Sequence, residues 1–409
     1  MPTDTGPIVI FLQKNFIGWF HHAPTYDFPM KTPTLFLLLG LPATALPEAK
    51  FRAVTIDAEL QIGYGIAISD VDGDGKPDIV LADSAETVWY RNPDWKKSRI
   101  TGKLTAKDNV CIAARDTDGD GKAEIAIGAE WNPGDTLDSG AVFSLQAPED
   151  RSQLWKAAPQ HREPTVHRMN WIREPGSHFL AVLPLHGCGN KNGEGDGIRF
   201  LGYRPEKDWK TFLIHEGFHM AHNFQPVFWN TADTAESLLV AEKEGVHLLS
   251  HGREKWSATR LTDRGSGEVQ LGKNPDGSRF IATIEPMHGT DVAIYPEREK
   301  AFGTRIAVDS TLNQGHALVA ADFLGIGSDQ VAAGWREPGK DDKKVGIRLY
   351  APSAPDGGKW QLHATISDNT MACEDMKSAD LNGDGRPDLV ASGRATRNLV
   401  IYWNETEKP

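Results

Sequence analysis

Acidic residues recur at a fixed spacing in three short segments of this 409-residue chain. The segments are Asp70-Val-Asp-Gly-Asp-Gly-Lys-Pro-Asp78, Asp116-Thr-Asp-Gly-Asp-Gly-Lys-Ala-Glu124 and Asp380-Leu-Asn-Gly-Asp-Gly-Arg-Pro-Asp388. Each has oxygen-bearing side chains at positions 1, 3, 5 and 9, with glycine where the chain must turn, and Ca²⁺ requires such an arrangement. We therefore predict three calcium sites, whose ligands are Asp70, Asp72, Asp74, Asp78, Asp116, Asp118, Asp120, Glu124, Asp380, Asn382, Asp384 and Asp388.

Short apolar runs flank these segments. Gly65-Ile-Ala-Ile-Ser precedes the first segment and Ile79-Val-Leu-Ala follows it, and β-branched residues of this kind favour strands. No glutamate stands at the twelfth position, where an EF-hand needs one, and no helical periodicity surrounds the segments. The pattern therefore predicts β-hairpins closed by calcium, and their repetition is typical of a propeller.

A four-strand pattern recurs seven times along the chain. The first, inner strand of each repeat is predicted to begin near Gly65, Val110, His167, Asn223, Val269, Ala317 and Asp375. The seventh repeat lacks a fourth strand, whereas Phe51–Ile56 is a strand without a repeat of its own. Pairing the two would close a ring and leave no sheet edge exposed. We predict an all-β fold, a single seven-bladed β-propeller over residues 46–409 with calcium-binding hairpin loops.

Composition and the N-terminus limit the partners and the location. The formal net charge is −12 and no basic stripe is present, which argues against nucleic acid as a partner. The sequence predicts a signal peptide over residues 30–45, made of Met30-Lys-Thr, the apolar run Leu35–Leu41 and the cleavage pattern Ala43-Thr-Ala45. Alternatively, Phe36–Leu41 is a buried strand. The run is too short to span a bilayer. We expect a secreted or periplasmic protein in which residues 1–29 are a non-native or mis-set extension. The sequence does not fix the oligomeric state. The chain has three cysteines, Cys111, Cys188 and Cys373, and this odd number predicts no disulfide framework.

Polar side chains gather at one end of the predicted central channel. Inner strands line the channel of a propeller, and their starts share one face with the ends of the second strands, opposite the calcium loops. Half of the fourteen histidines map to this mouth or its loops, although a single loop histidine is ordinarily a surface residue. His167, His222 and His316 come from three blades, and with Glu268 they suit Zn²⁺ or another borderline divalent ion. Alternatively, these histidines are acid–base groups or donors to a sugar, without a metal.

The loop motif resembles the FG-GAP/VCBS type of repeat. The resemblance lies in the first, second and seventh repeats. The sixth repeat keeps only Asp322 and Asp329, and we expect it to bind no ion, while repeats three to five have lost the loop. The resemblance implies the propeller fold. It implies no single function, because this repeat also serves adhesion proteins.

Longer strings resemble the propeller domain of aldos-2-ulose dehydratases. They are Val166-His-Arg-Met-Asn-Trp171, Leu183-Pro-Leu-His-Gly-Cys-Gly-Asn-Lys-Asn192, His219-Met-Ala-His-Asn223 and Glu285-Pro-Met-His-Gly289. Those enzymes dehydrate keto sugars such as 1,5-anhydrofructose by β-elimination, with a divalent metal at the channel. The fungal members also carry cupin domains, which this sequence does not contain. A second similar family, which cleaves rhamnose from glucuronate in plant gums, also uses β-elimination.

These resemblances imply a carbon–oxygen lyase whose substrate is a carbohydrate. Such a lyase polarises a carbonyl or carboxylate, removes the adjacent proton and protonates the leaving oxygen. With that chemistry the mouth residues divide by role. Acid–base candidates are His186, His288 and Tyr64; donors to the reacting group are Lys191 and Arg336; the stacking candidate is Trp335; further substrate contacts are Asn223, Glu374 and Arg394. The alternatives are a uronoside lyase, a non-enzymatic carbohydrate-binding or adhesion propeller, and a hydrolase or isomerase. No nucleophile elbow or paired-carboxylate motif supports hydrolysis.

Overall fold

A computed structural model describes residues 46–252 and 255–408. These residues form seven four-stranded antiparallel sheets arranged as the blades of a propeller. The predicted all-β, seven-bladed fold is thereby confirmed. The seven inner strands begin within two residues of the predicted positions. The predicted signal peptide and the residues before it lie outside the described residues.

Twenty-eight strands and one 3₁₀ turn, Pro205–Lys207, make up the described chain. The strand before the first blade is β1 (Phe51–Asp57). Blade 1 contains β2 (Gly65–Ser69), β3 (Asp78–Ala82), β4 (Thr87–Arg91) and β5 (Lys96–Thr101). Blade 2 contains β6 (Cys111–Arg115), β7 (Glu124–Ala129), β8 (Ala141–Gln146) and β9 (Lys156–Pro159). Blade 3 contains β10 (Val166–Glu174), β11 (Ser177–Pro184), β12 (Arg199–Arg204) and β13 (Lys210–Glu216).

The remaining blades follow the same order. Blade 4 contains β14 (Ala221–Val227), β15 (Ser237–Glu242), β16 (Gly245–His251) and β17 (Trp256–Arg260). Blade 5 contains β18 (Glu268–Lys273), β19 (Arg279–Glu285), β20 (Asp291–Pro296) and β21 (Ile306–Asp309). Blade 6 contains β22 (Gly315–Ala321), β23 (Gln330–Trp335), β24 (Gly346–Pro352) and β25 (Trp360–Asp368). Blade 7 contains β26 (Cys373–Ala379), β27 (Asp388–Gly393) and β28 (Leu399–Asn404).

Blade 7 is completed by the first strand of the chain. β1 pairs antiparallel with β28, from Phe51 opposite Asn404 to Thr55 opposite Val400. Just outside this ladder, the Glu405 N–H donates to the Lys50 carbonyl at 2.8 Å. The two ends of the propeller therefore lie in one sheet, which closes the ring and leaves blade 7 with no missing outer strand.

The apolar core lies between blades. Within the described residues, seven buried clusters occur, one at each junction between neighbouring blades. The junction of blades 2 and 3, for example, packs Val142 of blade 2 against Met169 and Val182 of blade 3. Because every blade buries both of its faces against neighbours, the inner strands are held in place around the central channel.

Candidate functional site at the channel mouth

Four inner strands carry a β-bulge at the same place, one residue after the strand begins. The pairing register shifts around His167 in β10, His222 in β14, His316 in β22 and Glu374 in β26. A bulge adds an unpaired residue and re-aims its side chain. Four blades thus present one polar side chain each to the channel mouth, three imidazoles and one carboxylate.

The three bulged histidines are held in the same way. Nδ1 of His167 lies 2.9 Å from the His222 carbonyl oxygen, and Nδ1 of His222 lies 3.0 Å from that of Gly267. Nδ1 of His316 lies 2.6 Å from the Glu374 carbonyl oxygen. A carbonyl only accepts, so each Nδ1 carries the proton and donates it to the next blade. Each Nε2 therefore keeps its lone pair, as a metal ligand or proton acceptor must.

His288 completes the group from the loop after β19. Ligand nitrogens of His222, His288 and His316 all lie within 4.8 Å of one another. The two Nε2 atoms of His222 and His288 are 2.8 Å apart, a hydrogen-bond distance. Two nitrogens on one tetrahedral zinc stand about 3.3 Å apart, given Zn–N bonds of about 2.0–2.1 Å. The donor set would fit a divalent metal if His288 withdrew slightly and carried its single proton on Nδ1 instead of Nε2, giving up the long contact with Arg336.

All these imidazoles are neutral at pH 7. Burial lowers the pKa of His167, His222 and His316 well below the usual value. Burial, His222 and the Arg336 guanidinium lower the pKa of His288 to about 2. Neutral imidazole is the form that binds a metal or accepts a proton.

Two predicted metal ligands lie outside the convergent group. Oε1 of Glu268 is 3.0 Å from Nδ1 of His222, on the side of the ring that faces away from His288, and Oε2 accepts from Nδ2 of Asn223 at 2.5 Å. Burial raises the pKa of Glu268 to about 7. His167 stacks beside His222 with ring centroids 4.5 Å apart. The convergent group is therefore His222, His288 and His316, with His167 and Glu268 beside it and Glu268 with Asn223 behind His222; the predicted ligand set stays a prediction.

A clamped carboxylate borders the histidines. Glu374, 2% exposed, accepts from Nη1 of Arg336 at 2.9 Å and from Nη1 of Arg394 at 3.0 Å. Nη2 of Arg336 lies 3.4 Å from Nδ1 of His288. The Arg394 guanidinium lies 5.6 Å from the centre of the Tyr64 ring. Both arginines therefore form ion pairs with Glu374, which fixes this carboxylate beside the histidines.

Tyr64 continues this network on the blade 1 side. Its hydroxyl donates to Oδ2 of Asp108 at 3.1 Å. Burial and the Asp108 carboxylate raise the pKa of the phenol above its usual value. Tyr64 is therefore a neutral phenol with a proton to give, which suits a general acid.

Three predicted site residues are elsewhere. His186 is half-buried and lines a separate cavity of about 650 Å³ with Glu163 and Cys188. Lys191 is exposed in the following loop. Trp335 is 3% exposed, donates its indole N–H to the Lys344 carbonyl and stacks under Arg348. This placement leaves Trp335 no open face for a sugar, and the assignment of a stacking role is corrected.

The acidic loops occupy the opposite face and form a backbone cradle. The Asp70 carboxylate accepts the N–H groups of Gly73 and Gly75, each at 2.7 Å. Both glycines have positive φ, which a side chain would strain. Asp116 and Asp380 repeat the arrangement in the second and seventh blades.

Carboxylate oxygens converge in the first two of these loops. Those of Asp70, Asp72 and Asp78 lie within 4.8 Å of one another, as do those of Asp116, Asp118 and Glu124. Burial, with Asp72 and Asp70 nearby, raises the pKa of Asp78 to about 7, and a bound cation would oppose this shift. In the third loop Asp384 instead contacts Arg386 and Asn382. Asp74 and Asp120 accept the N–H groups of Lys76 and Lys122.

Residues 70–127, which contain the first two loops, match the family described as FG-GAP-like repeat. The chain contains an FG-GAP-like repeat. No curated protein matches the sequence. The FG-GAP-like loop also explains blade 6, where Asp322 still accepts the N–H groups of Ile326 and Gly327 although the acidic residues at positions 3 and 5 are gone.

Solved structures share the fold of this chain. A chain in the crystal structure of the mitotic checkpoint complex superposes with a TM-score of 0.54 at 12% identity, over 97% of this chain and 100% of its own. A chain in the crystal structure of BBS1N in complex with ARL6DN, soaked with mercury, gives 0.50 at 12% identity, over 88% and 98%. At such identity the likeness concerns architecture alone. No helix within the described residues is long and apolar enough to cross a membrane.

Proposed function

We propose that the protein is a carbohydrate-active carbon–oxygen lyase that performs metal-assisted β-elimination at the channel mouth. The observation that carries the proposal is the convergence of His222, His288 and His316, two of which have tautomers fixed by backbone carbonyls. Three imidazoles with an open fourth position are typical of catalytic rather than structural zinc sites. Zn²⁺ or a similar divalent ion held there would polarise a substrate carbonyl and acidify the adjacent C–H.

The surrounding side chains supply the remaining roles. His167 keeps a free Nε2 lone pair beside the group and is the candidate base. Tyr64, a neutral phenol bound to Asp108, is the candidate acid for the leaving oxygen. Arg336 and Arg394 fix Glu374, and Arg336 also orients His288. General acid–base groups of this kind each contribute about 10²–10⁴ in rate.

The polar network favours a neutral keto sugar over a uronoside. A uronoside lyase needs a free cation at the channel mouth to bind the substrate carboxylate, whereas Arg336 and Arg394, which border the histidines there, are both engaged by Glu374. Dehydration of a keto sugar such as 1,5-anhydrofructose, or elimination at a keto-glycoside, needs no such cation. A non-enzymatic binding or adhesion role would rest on open aromatic platforms, and Trp335 is not one.

We further propose Ca²⁺ in the acidic loops as a structural ion and export of the protein, where free calcium is abundant. The loops of blades 1 and 2 support this with converged carboxylates. Their position on the face opposite the histidines separates them from the reaction. Calcium there would stabilise hairpins by binding only the folded state.

The test is an ultraviolet absorbance screen for the conjugated enone that β-elimination forms. The protein is stripped with a chelator, reloaded with calcium alone or with calcium and zinc, and incubated with 1,5-anhydrofructose, 3-keto-glycosides or a glucuronate-rich gum. We expect turnover of a keto sugar only after zinc is added. Turnover of the gum alone would favour the uronoside lyase, and saturable binding without turnover of any substrate would favour the adhesion role.

A further inference from the structure

One buried cation in the channel has no hydrogen-bonded counter-ion. Arg168 follows His167 in β10 and is 8% exposed. Its Nε and Nη2 atoms are buried without a hydrogen-bond partner, and Nη1 makes only a long contact, 3.4 Å, with the Tyr64 carbonyl. The side chain thus reaches from blade 3 past blade 2 to blade 1, and most of its donors point at no protein acceptor.

Such a guanidinium demands an acceptor. Arginine stays protonated in proteins, so it cannot relieve burial by losing its charge. An unpaired buried charge is strongly destabilising. The nearby carboxylates make no hydrogen bond to Arg168. Asp375 accepts from the Ile66 N–H at 2.7 Å and from the Lys377 ammonium at 3.0 Å, and Glu268 accepts from Nδ2 of Asn223. Glu374 is shared by two other arginines.

A cavity gives a ligand access to Arg168. It measures about 260 Å³ and runs along the inner strands from Arg168 to Ile68, Ala114 and Ser378. Each of these three residues lies two positions before an acidic loop, so the cavity occupies the half of the channel on the loop face. Its charged lining groups are Arg168, Lys377 and Asp375, which leaves one positive charge uncompensated. Asn170 and Asn223 add amide groups to the wall.

We propose that this half of the channel is a binding site for a small anion, an inorganic oxyanion or a monocarboxylate, held by the guanidinium of Arg168. The planar fork of arginine matches two oxygens of a carboxylate, sulfate or phosphate. The cavity lies in the loop-face half of the channel, and none of the four histidines is among its lining residues. It needs neither the metal nor the elimination reaction, so it stands if the proposed function fails.

The experiment measures melting temperature against anion concentration at constant ionic strength. Chelator-treated, calcium-loaded protein is titrated with acetate, sulfate or bromide in exchange for the sulfonate anion of HEPES, which is bulkier than any of the three. A ligand that binds only the folded state raises stability in a saturable way. We expect saturable stabilisation of the wild type, its loss in R168Q, and its retention in R115Q, a control that removes an arginine paired with Glu236. A stronger response to acetate than to sulfate would identify a carboxylate, and the reverse an oxyanion.

Two outcomes overturn the proposal. One is an equal change of melting temperature in the wild type and R168Q with all three anions, which would show that the anions act through the solvent and not at Arg168. The other comes from crystals soaked in bromide, in which we expect anomalous density beside Arg168. If that density is absent and the guanidinium is paired with Glu268, the protein supplies its own counter-ion for Arg168. The soak uses the wild type, so it decides the question even if R168Q does not fold.

Discussion

The histidines of the channel mouth are held by main-chain atoms. Nδ1 of His167, His222 and His316 each donates to a main-chain carbonyl in or just before the inner strand of the following blade. Side-chain partners can rotate away, whereas a carbonyl in a propeller is fixed by the blade behind it. Outer contacts of this kind orient metal ligands and typically change metal affinity about 10–100-fold when removed.

Replacing His316 should therefore remove the transition metal. H316A loses one nitrogen of the convergent group, and we expect zinc affinity to fall at least about 100-fold, more than the loss of an outer contact costs, while calcium content stays unchanged. The matched control is H178A, whose Nδ1 also bonds a carbonyl, that of Thr117, outside the group. Elemental analysis and competition with a chromophoric chelator provide the measurements. Equal zinc retention by both variants would remove His316 from the site.

A second buried carboxyl gives a prediction for pH. Glu242 is fully buried at the end of β15; its Oε2 accepts the Glu244 N–H at 2.6 Å, and Nδ1 of His247 lies 2.8 Å from Oε1. Burial and the neighbouring Glu244 carboxylate raise the pKa of Glu242. The folded protein then keeps a proton that the unfolded chain has lost, so this group's contribution to stability is complete at low pH and falls as pH rises.

The variant E242Q imitates the protonated form at every pH. Its stability relative to the wild type should increase between about pH 5 and about pH 8, by up to about 1.4 kcal/mol per pH unit. Denaturant unfolding at a series of pH values measures the difference, and E149Q, at an exposed position, should show no such trend. A difference between E242Q and wild type that does not vary with pH would mean that Glu242 is ionised in the folded protein.

At the scale of elements, each acidic loop should bind calcium independently and stabilise its own hairpin. D72N removes a carboxylate from the converged group in blade 1, so we expect a smaller rise of melting temperature on adding Ca²⁺. D322N replaces an aspartate by asparagine at position 1 of the blade 6 loop, which has no acidic residue at positions 3 and 5. The calcium response of D322N should equal that of the wild type. Calorimetric scans with calcium and with a chelator test this. An identical calcium response in D72N and wild type would contradict a site there.

The strands were predictable because their signal is local. The loops flanked by Ile68 and Ile79 fix where the first hairpin turns, and the alternation of apolar residues then sets the other strands. Ring closure followed from counting: one outer strand was missing and Phe51–Ile56 was left over. Both inferences depend on sequence patterns that can be read without knowing the contacts of any side chain.

The geometry of the site was predictable only in part. That His222 and His316 meet follows from their common position in two inner strands, but the bulges that turn them inward leave no mark in composition. His288 lies on a loop with positive φ, so its direction depends on packing. Arg168 was missed because a buried arginine and an exposed one look alike in a sequence. Trp335 was misjudged for the same reason, since the end of a strand can face the core.

For the whole molecule, stability should depend on the closing strand. β1 supplies the outer edge of blade 7, and Tyr402 and Ile401 of its partner strand are fully buried. A chain that begins at residue 58 should unfold or aggregate, because β28 would become an exposed edge. The control begins at residue 46 and keeps β1. Circular dichroism and gel filtration compare the two; a monomeric, cooperatively melting protein without β1 would show that the ring closes without it.

The pairing that closes the ring also decides how the molecule responds to tension. Phe51 lies opposite Asn404, so both chain ends leave the sheet at the same end of an antiparallel pair. A pull on the two termini would peel β1 from β28 one hydrogen bond at a time, whereas heat must disrupt all seven junctions between blades. We therefore expect the propeller to be thermally cooperative yet mechanically weak, with rupture beginning at blade 7 under low force.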